Sequence, residues 1–148
     1  MTTHPIARAR AARLEALRGE YMTEVINGAR RRGRQVRVAP YVLAEPGPAR
    51  AADLDTIARY ARQQDWQVTR STFADIGQPP PLAQRSGFGA ACRYAAQGFA
   101  HGILAIARPA ITTDDDAYLE ILEFLHARGV FLAYLPAAGQ SLPDGRSS

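Results

Sequence analysis

With 148 residues, 47% of them hydrophobic and 22% charged, the chain is long enough for one ordinary core, too short for two comfortable domains and too apolar for disorder. No stretch approaches the roughly 18 apolar residues of a membrane span, and the N-terminus has no apolar signal core, so nothing argues for membrane or export and the chain reads as cytoplasmic. The net charge of +4 is unevenly placed: residues 1–37 hold nine arginines and three glutamates, whereas the remaining 111 hold nine arginines and eleven acids.

Residues 6 to about 32 read as one long basic helix, with Ala7, Ala11, Leu14, Leu17, Tyr21 and Val25 recurring at three- and four-residue spacing. Its other faces carry Arg8, Arg10, Arg13 and Arg18 and are expected to stay exposed. Its C-terminal end carries Arg30, Arg31, Arg32 and Arg34, where cations suit the helix dipole, and Gly28 and Gly33 mark fraying and a stop. "QVRVAPYVL" then reads as a strand, "ARAADLDTIARYARQQD" as a helix with Leu54, Ile57, Ala58 and Ala61 inward, and "WQVTRSTFAD" as a second strand. The proline-rich "IGQPPPLAQ" can continue neither element. "SGFGAACRYAAQG" is a helix with Phe88, Cys92, Ala95 and Ala96 on one side, and "GILAIA" a buried third strand. "DDDAYLEILEFLHARG" is a helix with Tyr118, Ile121, Leu122 and Leu125 inward, and "VFLAYLP" a fourth strand.

Strands alternating with helices imply parallel pairing through crossovers. The expected fold is therefore α/β: a four-stranded parallel sheet in the order 2-1-3-4, flanked by helices on both faces, with an extra N-terminal helix. Three segments follow: the basic amphipathic helix at 1–35, the α/β domain at 36–136 and a loose polar tail at 137–148.

In an open parallel sheet, ligands gather outside the carboxyl ends of the strands. Those ends offer Leu43, Ala44 and Glu45, then Asp75, then Ala107 and Arg108, then Pro136. A phosphoacceptor site needs clustered carboxylates after the first strand and an aspartate ending the third, where alanine stands. "GFGAAC" from Gly87 lacks the third glycine of a dinucleotide loop and reads as packing. "TTDDDA" reads as a helix start, with Thr113 as N-cap and Asp116 as the acidic third residue, rather than as a metal site. His4, His101 and His126 are scattered, and Cys92 reads as core filler. No cofactor or metal is called for.

Four stretches nevertheless share a pattern. "YVLAE" has Tyr41 near the end of the first strand, "FADIG" has Asp75 ending the second, "RSGF" opens the next helix from Arg85 to Phe88, and "ARPAI" follows the third strand with Arg108. Over residues 36 to 136 the chain resembles the catalytic domain of the serine recombinases, the resolvase and invertase family. The resemblance implies a resolvase-like sheet and a DNA phosphodiester attacked by a serine, with several arginines neutralising the transition state. It also implies that Arg85 and Arg108 are remnants of that phosphate-binding cluster and that Tyr41 and Asp75 belong to a vestigial site.

Four departures from the family's pattern bear on function. Glu45 stands at the serine position, Leu43 replaces an arginine, Ala107 replaces an aspartate and Ile111 replaces a second arginine. A glutamate would repel a phosphodiester, so the expected function is that of a recombinase-like pseudoenzyme that binds DNA or a protein partner without cutting. A divergent active recombinase or nuclease, and a flavodoxin-like small-ligand domain, are the alternatives. Arg30, Arg31, Arg32 and Arg34 are the candidate DNA contacts on the N-terminal helix. That helix covers its apolar stripe either on the core or on a second copy, as a homodimer. A plainer reading of Arg108 pairs it with Asp75 or Glu45 across the sheet edge.

Overall fold

The computed structural model describes residues 5–137, and in it the helices and strands alternate along the chain. Helix α1 (Pro5–Arg31) leads into β1 (Arg37–Leu43), α2 (Pro48–Gln63), β2 (Gln67–Val68) and β3 (Phe73–Asp75). Then follow α3 (Ser86–Tyr94), β4 (Gly102–Ala105), α4 (Asp115–Ala127) and β5 (Phe131–Tyr134). All pairings are parallel; the sheet runs β2-β1-β4-β5, and β3 pairs with β1 as well.

This is the expected order with the second strand divided in two. After Val68 the Thr69 hydroxyl donates to the Ser71 carbonyl at 2.9 Å, a local bond that competes with the sheet ladder and bends the chain. Pairing with β1 resumes at Phe73, so the chain meets β1 twice, near its start and at its end.

Alternation along the central strands builds two cores. Ala39, Tyr41, Ile103, Ala105 and Leu132 face α3 and α4, whereas Val38, Val42, Leu104, Phe131 and Ala133 face α2. Helix α1 touches both, because it crosses the β5 side of the sheet: Leu14, Leu17 and Tyr21 pack into the first core and Met22, Val25, Ile26 and Ala29 into the second. The apolar stripe is thus covered within the chain.

Three details of the helices differ from the sequence reading. Ala7 and Ala11 are exposed, because the first turns of α1 extend past the packed stretch that begins at Leu14. Arg18 is not on a free face: its guanidinium donates to the Leu132 carbonyl at 2.8 Å, on the side of β5 without a neighbouring strand, and pairs with Glu15. The helix at 86–98 is α-helical only to Tyr94 and widens into a π turn at Ala95–Phe99 that ends through Gly98 at φ 99°, which turns Ala96 outward. Gly33, at φ 71°, closes α1 as expected. The tail expected from residue 137 lies outside the described residues except for Ala137. No helix among the described residues is long and apolar enough to cross a membrane.

Candidate functional site

Parallel pairing puts the ends of β1, β3 and β4 and the starts of α2, α3 and α4 on one carboxyl edge. Four of the residues singled out in the sequence meet there as two separate clusters.

The first is built around Asp75. Its Oδ1 accepts from the Gly87 N–H at 2.9 Å, and its Oδ2 from the Phe88 N–H at 2.9 Å and the Tyr41 hydroxyl at 2.8 Å. The carboxylate therefore satisfies two of the free N–H groups at the start of α3, where negative charge also suits the helix dipole. Phe88 stands edge-on to Tyr41, with ring centroids 5.2 Å apart. Burial and the hydrogen bond to Asp75 push the Tyr41 phenol up, so it remains a donor. Arg85 is buried beside this cluster, with Nη1 3.5 Å from the Tyr41 oxygen. Its Nε donates to the Pro80 carbonyl at 3.1 Å and Nη1 to the Ala110 carbonyl at 2.9 Å, tying the proline loop to the turn after β4.

The second cluster is built around Arg108. It does not pair with Asp75 or Glu45: Nη2 donates to Asp115 at 2.7 Å and Nε to the Thr112 carbonyl at 3.1 Å, while the guanidinium lies 4.0 Å from the Tyr118 ring centroid. Asp115 wins because it opens α4 only seven residues on, whereas Asp75 is spent on α3. The N-cap of α4 is Asp114, not Thr113; its carboxylate accepts from the Asp116 N–H at 3.0 Å. Tyr118 in turn accepts a hydrogen bond from Tyr134 at 2.8 Å.

Glu45 is exposed just past β1, and beside it Arg50 closes both Nε and Nη2 on the Ala44 carbonyl at 3.0 and 2.7 Å. Burial pushes the buried Cys92 thiol up to about 12, so it carries no thiolate at neutral pH. A cavity of about 420 Å³ between α3 and α4 is lined by Leu82, Phe88, Cys92, Ile121 and Phe124, with Arg93 and Glu120 as its charged groups. Among the described residues no group of three or more His, Cys, Asp or Glu could hold a metal ion.

Arg30, Arg31, Arg32 and Arg34 lie elsewhere. They sit where α1 turns into β1, at the amino edge, with all four exposed. β1 separates the two edges by seven residues, or about 20 Å. The basic set and the pair Arg85 and Arg108 therefore cannot grip one phosphate together.

Sequence reasoning missed the partners: Asp115 and Tyr118 for Arg108, Arg50 for the end of β1, and His101 for Arg37. Only the aspartate run carried any signal, and it was read as a helix start alone. The His101 ring accepts the Arg37 backbone N–H on Nδ1 at 3.0 Å, and the His101 backbone N–H donates to the Arg37 carbonyl at 2.7 Å. Burial, then Arg37, Arg32 and Arg34, hold its imidazolium below the ordinary 6.5. The unfolded chain then takes up this proton first as pH falls, so the stability is complete above about 6.5 and is lost below it, toward the folded value. The urea midpoint is expected to drop between about pH 7.5 and 5.5. His101→Gln is expected to drop less than the parent, and an equal drop would assign the titration to other groups.

With this geometry established, the fold is that of serine recombinase catalytic domains. It is similar to the C-terminal catalytic domain of ISC1926 TnpA, an IS607-like serine recombinase, at 16% identity and a TM-score of 0.58, over 70% of this chain and 72% of that one. It is similar also to the N-terminal catalytic domain of TP901-1 integrase, at 16% identity and a TM-score of 0.57, over 67% of this chain and 76% of that one. No family model matches the sequence, and no curated protein does. At such identities the likeness is one of fold.

Proposed function

We propose that this domain is a recombinase-fold pseudoenzyme that binds DNA and does not cut it. The observation that carries the reading is the engagement of both arginines that the resemblance assigns to phosphate. Arg85 is buried and bonded to the Pro80 and Ala110 carbonyls, and Arg108 is neutralised by Asp115. Phosphodiester cleavage needs cations free to meet developing negative charge. Exposed Glu45, at the position that the resemblance assigns to the nucleophile, adds repulsion in place of an attacking hydroxyl. Tyr41 and Asp75 have work that explains them without chemistry, since they seat the start of α3.

The DNA reading draws on the fold neighbours, which are a serine recombinase and an integrase. In its support, the positive charge is concentrated in residues 1–37. The test is incubation of purified protein with supercoiled plasmid, followed by denaturing electrophoresis. The expected result is unchanged supercoiled DNA and no covalent protein–DNA adduct. Nicked circles or an adduct would overturn the pseudoenzyme.

A further inference from the structure

We infer that the amino edge of the sheet, where α1 turns into β1, is a docking face for the backbone of duplex DNA. It lies opposite the edge that carries the vestigial site. The inference rests on the DNA-binding reading above and is independent of whether the carboxyl edge cuts.

The arginines among the described residues differ in whether a carboxylate meets them. Arg10, Arg18, Arg59 and Arg108 each form an ion pair with a carboxylate. Arg30, Arg31, Arg32 and Arg34 are exposed and form none among the described residues. Arg31 and Arg32 are also crowded. Guanidinium nitrogens of both Arg31 and Arg32 come within 4 Å of the single point where a Gly28 Cβ would stand. Arg37 at the start of β1 bonds His101 just before β4, so the basic stretch ends beside the start of β4.

The acids are divided between the edges, with Asp65 at the amino edge just before β2 and five others at the far end. Glu45, Asp75, Asp114, Asp115 and Asp116 occupy the carboxyl edge, about 20 Å away along β1. The Debye length at physiological salt is about 8 Å, so they do not cancel the field at the amino edge. A phosphate backbone is thus attracted at the amino edge, where the arginines outnumber the acids.

The helix dipole of α1 accounts for a cation or two in its last turn. It does not account for arginines that continue past the helix end to Arg32, Arg34 and Arg37. Such crowding is relieved by a partner whose own charges are as dense. Duplex DNA carries about one negative charge per 1.7 Å of axis, and the guanidinium fork suits its phosphate oxygens.

The test uses full-length protein and a labelled random-sequence duplex of about 30 base pairs, across roughly 50–200 mM salt. The parent is expected to bind with log affinity falling linearly in log salt. The fourfold variant Arg30→Ala, Arg31→Ala, Arg32→Ala and Arg34→Ala is expected to flatten that slope by up to about three or four units. The fourfold arginine-to-lysine variant should restore most of it, because phosphate attraction needs charge at these points. The double variant Arg59→Ala and Arg93→Ala should change the slope by less than about one unit. Equal slope and affinity for the parent and the fourfold alanine variant would overturn the inference, as would a parent that fails to bind at about 50 mM salt. Competition by polyglutamate as strong per charge as by duplex would overturn it in favour of an acidic protein partner. Plasmid nicking with the binding results intact would overturn only the pseudoenzyme reading.

Discussion

Gly87→Ala is expected to destabilise the protein by about 3 kcal/mol, the upper end of what overpacking usually costs. A Cβ on Gly87 would stand 2.6 Å from the Ala74 carbonyl carbon, closer still to its oxygen, and 2.9 Å from the Asp75 carboxyl carbon. The first two are strand backbone, which cannot swing aside as the end of a flexible side chain can. The start of α3 must therefore lift away from β3, and its N–H groups leave Asp75. For a domain of this length the loss corresponds to a fall in Tm of about 6–12 °C. Differential scanning fluorimetry of the Gly87→Ala and parent proteins reads it directly. A Tm within about 2 °C of the parent would mean that α3 does not press on β3 as described.

Asp75→Ala is expected to cost about as much, for a different reason. The carboxylate holds three donors: the Gly87 N–H, the Phe88 N–H and the Tyr41 hydroxyl, the last from a side chain with no exposed surface. Loss of a helix cap costs about 1 kcal/mol, and leaving a buried hydroxyl without its acceptor costs about 1–3 kcal/mol. The expected total is about 3 kcal/mol in urea unfolding. Asp75→Asn keeps one acceptor oxygen and should recover about half of it. Amide exchange at Gly87 and Phe88 should accelerate in the alanine variant. Unchanged exchange there would sink the assignment of Asp75 as the cap of α3.

These two residues also explain why "RSGF" was conspicuous in the sequence. Arg85 staples the proline loop to the turn after β4, Gly87 permits close approach to β3, and Phe88 packs against Tyr41. The motif builds the carboxyl edge, and a stretch recognisable from a resemblance alone turns out to have a mechanical reason. Arg108 shows the converse. Its position after the third strand was legible, but its choice of Asp115 over Asp75 depends on where α4 starts relative to β4 and on Asp75 being occupied already.

By itself the sequence determined the alternation of helices and strands, the parallel pairing of the sheet, the long N-terminal helix and the place of the arginines along the chain. Each of these follows from local periodicity and from the short connections that force crossovers between parallel strands. Only the tertiary structure decided the division of the second strand, the outward turn of Ala96, the bond from Arg18 to the open side of β5, and the partners of Arg85 and Arg108. It also decided that the two sets of candidate arginines lie at opposite edges. The reason is that hydrogen bonds and charges act over a few ångströms in space, and which groups come that close depends on how whole elements pack, whatever their separation along the chain.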